Sequence, residues 1–167
     1  MENISIMFGV LTAVLIAGFA AWLFYLQRKA KNEEGKKAAG SQSMQLQSYE
    51  RLILLVDRIA LPNLISRVSE PGLSAREMQQ SLNRAIKEEY DYNITQQIYV
   101  SEDAWSAVKN LKEQNMLVIN QLASALPANA TGLDLNKFLL EYLMNDKKGS
   151  MHEVVSEVLS YEAKKLL

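Results

Sequence analysis

Cysteine is absent from the 167-residue sequence and histidine occurs once. Disulfides, thiolate metal sites and cysteine nucleophiles are thereby excluded, and a single imidazole leaves little material for a zinc site or a Ser-His-Asp triad. Proline (3) and glycine (7) are scarce, so few positions interrupt a helix. Neither sign of charge dominates: 18 basic side chains stand against 19 acidic ones, for a net charge of −1. That balance gives no global attraction for nucleic acid, and no basic stripe with interleaved aromatics follows residue 43. A Gly-rich phosphate loop, a Walker-type lysine motif and a calcium loop are all missing, as is any repeat at fixed period.

What is present is unevenly placed. The mean hydropathy is −0.09, yet residues 4–26 contain no charged side chain, a run of 23 residues. As a helix rising about 1.5 Å per residue this run reaches about 35 Å, enough to cross a hydrocarbon core of about 30 Å with modest tilt. Lipid offers the backbone no partner, so such a span must be helical. A cleaved signal peptide fits less well, because the chain starts acidic at Glu2 and the apolar region is about twice the usual length. Arg28, Lys29, Lys31, Lys36 and Lys37 crowd the C-terminal flank while the N-terminal tail carries no basic side chain. The positive-inside rule then places the N-terminus outside and the body in the cytoplasm, with Trp22 and Tyr25 at the level of an aromatic belt. The expected location is the inner membrane, with lipid as one partner. The basic cluster serves chiefly as a stop-transfer signal, and Glu33 and Glu34 dilute it as an anionic-lipid site. Gly9, Ala13, Ala17 and Ala21 recur every four residues, a stripe that lets two membrane helices approach, although alanine is common in such helices for other reasons.

Three segments follow: residues 1–27 as tail and membrane helix, 28–43 as a charged flexible linker, and 44–167 as a helical bundle. The linker is rich in Lys, Glu, Ala, Ser and Gln and holds Gly35 and Gly40, so it buries little. From residue 44 apolar side chains return at helical spacing. Tyr49, Ile53, Val56 and Ala60 share one face, widened by Leu52, Leu55 and Ile59, on a first helix from about Met44 to Ala60 that Pro62 kinks or ends, and a short second helix starts with Leu64, Ile65 and Val68. Ser74 with Glu77 forms a capping box before a third helix ending near Tyr90. Residues 91–100 read as a loop or short extended segment. Ser101, Glu102 and Asp103 open a fourth helix that Pro127 stops. Thr131 with Asp134 and Ser150 with Glu153 repeat the cap signature before two more. The predicted fold is all-α, a bundle of five or six helices with one core.

Chemistry is sparse. His152, on the last predicted helix, has no orienting partner in sequence, and carboxylate pairs such as Glu88 with Glu89 diverge on a helix. No catalytic residue, metal ligand or cofactor is expected. The most unusual stretch is residues 90–100, with three tyrosines, an asparagine and two glutamines next to Trp105. Tyr92, Asn93, Gln97, Tyr99 and Trp105 are candidates for a partner contact, since such residues combine apolar area with hydrogen-bonding groups. The alternative is that Tyr90, Ile98, Tyr99 and Trp105 are core while Asn93 and Gln97 satisfy an irregular joint.

The run Tyr49-Glu50-Arg51 with Pro62-Asn63, followed by Asn93, Gln97, Tyr99-Val100-Ser101 and Ala104-Trp105, resembles an uncharacterised bacterial family of small single-pass membrane proteins with a cytoplasmic helical domain. The resemblance covers nearly the whole chain and implies the same topology without supplying an activity. The expectation is a membrane-anchored adaptor, scaffold or accessory subunit that binds a protein partner or itself. A membrane-tethered enzyme with a carboxylate and tyrosine pocket, or a lipid-surface-binding protein, is the alternative.

Overall fold

The computed structural model describes the backbone of residues 2–145 and 151–167, and the side chains of residues 22–29, 31, 40–145 and 151–167. Among them are six α-helices and one 3-10 turn: α1 (Glu2–Ile59), α2 (Leu61–Val68), α3 (Ala75–Tyr92), the turn (Ile94–Ile98), α4 (Glu102–Ala125), α5 (Gly132–Asn145) and α6 (Met151–Lys164). The fold is all-α; one isolated antiparallel bridge, Ser74 with Thr131, is its β-type pairing among the described residues. The chain divides into two compact units, Met1–Ser43 and Met44–Leu167.

In the first unit the backbone is helical from Glu2 onward. The sequence reading predicts a flexible linker over residues 28–43; that stretch is helical instead. Ala, Lys, Glu, Gln and Arg are the strongest helix formers and offset Gly35 and Gly40, which cost about 1 kcal/mol each. Among the described residues no helix is long and apolar enough to cross a membrane. The expected span lies, up to Ala21, outside the described side chains. With it lie Gly9, Ala13, Ala17 and Ala21, and so do Lys36 and Lys37.

The second unit closes on one core. The end of α1 contributes Leu52, Leu55 and Ile59, α2 Leu64, α3 Met78, Leu82 and Ile86, α4 Leu111 and Ile119, α5 Leu135 and Leu139, and α6 Leu159, all with almost no exposed surface. The spacing of three and four residues on each helix produces this common face. Helical spacing predicts Val154, Val155, Val158 and Leu159 on the inner face of α6; Val155 and Leu159 are buried there with Ala163, while Val154 and Val158 are exposed.

Pro62 explains the break between α1 and α2. It has no amide proton to give Arg58 and its ring forces the chain out of register, so the last carbonyls of α1 need other donors. They find side chains. Asn63 Nδ2 donates to the Asp57 carbonyl at 3.1 Å, an Arg67 guanidinium nitrogen to the Arg58 carbonyl at 3.1 Å, and the buried Asn115 Nδ2 of α4 to the Ile59 carbonyl at 2.7 Å.

Two capping boxes meet at the other end of the core. Ser74 Oγ accepts from the Glu77 backbone N–H while the Glu77 carboxylate accepts from the Ser74 N–H at 2.8 Å. At α5 the Asp134 carboxylate accepts from the Thr131 N–H at 2.9 Å and the Thr131 hydroxyl accepts from the Asp134 N–H at 3.2 Å. The two helix starts are tied together: the Gly132 N–H donates to the Leu73 carbonyl at 2.7 Å, and the Ala75 N–H to the Ala130 carbonyl at 3.0 Å. A Cβ on Gly132 would lie 3.2 Å from both the Leu73 carbonyl oxygen and Met78 Cβ, so only glycine permits this approach without displacement. Nearby, Gly72 takes φ +87° in a Pro-Gly turn that requires a left-handed residue. The sixth helix's expected cap, Ser150, lies outside the described residues.

Candidate functional site

The segment expected as an irregular joint is more ordered than a loop. Helix α3 continues two residues past its expected end, and the 3-10 turn fills most of the gap to α4. Asn93 closes α3: its side chain is buried and Nδ2 donates to the Glu89 carbonyl at 2.9 Å, satisfying a helix-end acceptor. The next buried polar side chain is Gln96, whereas Gln97 is exposed. Tyr90 packs on Trp105 with ring centroids 5.1 Å apart, and the Lys112 ammonium sits 4.4 Å over the Tyr90 ring. Burial, then the Glu113 and Asp91 carboxylates, push the Tyr90 phenol above its ordinary value. Tyr49 reaches from α1 to the start of α4, where its hydroxyl accepts from the Ser101 N–H at 3.1 Å.

The five partner-contact candidates are thus divided. Tyr92 stands 74% exposed and Gln97 is exposed; Tyr99 and Trp105 are half-buried; Asn93 is buried in the joint. Ile98, a candidate for the core, is instead 71% exposed and Ile94 partly so, because the 3-10 turn spends its inward position on Gln96.

Tyr92 belongs to a groove of about 560 Å³ between α1 and α3. Its α1 wall carries Arg51, Leu54, Leu55 and Arg58, and its α3 wall Glu88, Glu89, Tyr92 and Asn93. Leu54 is 62% exposed. At one end Glu89 Oε1 accepts from Arg58 Nε at 2.7 Å and from an Arg67 nitrogen at 3.1 Å. This contact, first as a hydrogen bond and then as charge attraction, raises the Arg58 pKa further above its ordinary value. Arg51 and Glu88 face the groove without an ion pair among the described residues. Of the exposed side chains along it, tyrosine and arginine are types enriched where proteins bind one another, and leucine is not.

A second groove, about 570 Å³, lies between α1 and α6 and is lined by Asp57, His152, Glu153, Ser156, Glu157, Tyr161 and others. It gathers the single imidazole with two carboxylates of α6, Glu153 and Glu157, across from Asp57 of α1. Among the described residues no group of three or more His, Asp or Glu side chains is placed to hold a metal ion. Of the basic cluster, Arg28, Lys29 and Lys31 are exposed.

The sequence reading centred on the aromatic segment and did not single out the α1 wall of this groove. Arg51, Leu54 and Arg58 at i, i+3 and i+7 share one helical face, off the face that Leu52, Leu55 and Ile59 bury. Leu54 was the apolar side chain on that helix for which the buried stripe had no place.

No curated protein and no solved structure matches the chain. A family model, by contrast, matches residues 2–166, nearly every position of the helical unit and of the segment before it. The chain therefore belongs to DUF7935, a family of unknown function.

Proposed function

We propose that this chain is an interaction protein of the inner membrane, an adaptor, scaffold or accessory subunit held by one N-terminal span with its helical unit on the cytoplasmic side. The location rests on the charge-free residues 4–26 and on the basic flank Arg28, Lys29, Lys31, Lys36 and Lys37, which together satisfy the length and orientation rules for a single span. Lipid is then a permanent partner. The binding role rests on one observation: Tyr92 and Leu54, two large side chains that a helical core would normally take, are held open on opposite walls of the α1/α3 groove beside arginines. Apolar surface that is gathered in one place and rimmed by charge is the kind that marks contact with a partner, whereas apolar side chains exposed singly do not.

Photo-cross-linking from Leu54 in intact membranes, followed by identification of the attached polypeptides, tests the binding role. A specific protein adduct, lost when Tyr92 is replaced by Ser, is the expected outcome; absence of any adduct refutes it. Location is tested separately. Recovery in the membrane fraction after alkaline carbonate washing, with a C-terminal reporter active only inside the cell, is expected, and a protein freely soluble after lysis would refute the anchor.

A further inference from the structure

The α1/α3 groove is not uniformly charged. Its α1 wall supplies arginines (Arg51, Arg58) and its α3 wall glutamates (Glu88, Glu89), with exposed Leu54 and Tyr92 beside them. Such a surface has little net attraction for a partner segment of one sign. It attracts a surface with the opposite arrangement of the two signs, and a second copy turned through a two-fold axis presents that arrangement. We propose that the partner at this groove is a second copy of the chain, the two α1/α3 faces meeting around a two-fold axis that passes between Leu54 and Tyr92. Arg51 of one copy then opposes Glu88 of the other, twice over, while the apolar pair is covered at the centre.

Within each copy Arg58 and Arg67 are already engaged with Glu89. Arg51 and Glu88 are both exposed and carry no ion pair among the described residues, so they are the charges left for a contact in trans. The inference rests on reading this groove as the docking surface. Confinement of both copies to one membrane raises their effective concentration, so a contact of modest area suffices.

The test uses the full chain in membranes, with a photo-cross-linker at Leu54 and two differently tagged copies. The chain has no cysteine, so thiol oxidation contributes no background. Wild-type copies should give an adduct of twice the chain mass carrying both tags. Arg51→Glu alone and Glu88→Arg alone should each lower that yield about tenfold or more, because each sets like charges opposite one another in both contacts. Co-expression of the Arg51→Glu chain with the Glu88→Arg chain should restore the mixed adduct, since both contacts then pair opposite charges. Arg51→Ala and Glu88→Ala, which remove a charge without reversing it, should lower the yield less than the reversals. Failure of the mixture to recover, with both variants retaining wild-type helix content, would overturn the pairing. Adducts to a different polypeptide alone would also overturn it while leaving the binding role intact, and no adduct of any kind would remove both.

Discussion

Replacing Asn115 tests the account of the break between α1 and α2. Asn115 is 7% exposed and its Nδ2 lies 2.7 Å from the carbonyl of Ile59, the last residue of α1, where Pro62 three residues later turns the chain out of helical register. Asn115→Leu keeps the side-chain volume and removes the donor, leaving a buried carbonyl unsatisfied at a cost of about 1–3 kcal/mol. Asn115→Ala adds lost packing and should cost more. Asn115→Asp sets a carboxylate against the carbonyl, so it should be the worst at neutral pH and recover in acid, where its protonated form can donate again. For a unit of this size 1 kcal/mol moves the thermal midpoint by about 4 °C, so Asn115→Leu should lose about 4–12 °C by circular dichroism. A Leu variant within about 1 °C of wild type, or an Asp variant without acid recovery, would refute the claim that this carbonyl depends on Asn115.

Three further outcomes are expected. Gly132→Ala should cost about 1–2 kcal/mol in urea unfolding, because the new methyl meets the Leu73 carbonyl oxygen and Met78 Cβ at 3.2 Å and overpacking of fixed atoms exceeds the gain in helix propensity; a neutral result would mean the two helix starts can separate freely. The Glu77 and Asp134 carboxyls are held below their ordinary values, first by the Ser74 and Thr131 backbone N–H groups and then by the hydroxyls. Their stabilisation is complete above the unfolded values near about 4 and disappears as pH falls through the lower folded values, so the midpoint should drop less between pH 6 and 3 in a variant carrying Glu77→Gln with Asp134→Asn. Equal slopes would contradict the capping account. Glu89→Gln should cost under about 1 kcal/mol, since Arg58 is half exposed and such pairs are screened; the cost should shrink further in high salt, and a salt-independent loss would point to packing instead.

What the sequence disclosed of the fold follows from how local each cause is. The capping box at Ser74 and Glu77, the stop at Pro62 and the inward stripe of Leu52, Leu55 and Ile59 are written in windows of a few residues, and all appear where that spacing puts them. The linker was misjudged because Gly35 and Gly40 stand out in a composition whose remaining residues favour helix. Asn93 and Gln96 divided their roles differently from Asn93 and Gln97 because the 3-10 turn has three residues per turn, a period that ten aperiodic residues do not announce. The groove was only half readable. Tyr92 was visible as one of a cluster of tyrosines, but that Arg51, Leu54 and Arg58 would face Glu88 and Glu89 depends on how α1 packs against α3, 31 residues apart at the Arg58–Glu89 contact, and no local pattern encodes that packing.

The knot of hydrogen bonds joining the starts of α3 and α5 also sets an order of events during synthesis. The Ala75 amide needs the Ala130 carbonyl, and the Leu73 carbonyl needs the Gly132 amide, so a nascent chain that stops before α5 makes neither bond and leaves Met78 without its neighbour at Gly132. Loop closure across that distance comes late, and the ribosome therefore holds α3 without this partner from the time it is made until α5 follows. A chain cut short before α5 would keep that apolar face open and be prone to aggregate rather than act as a shorter working protein.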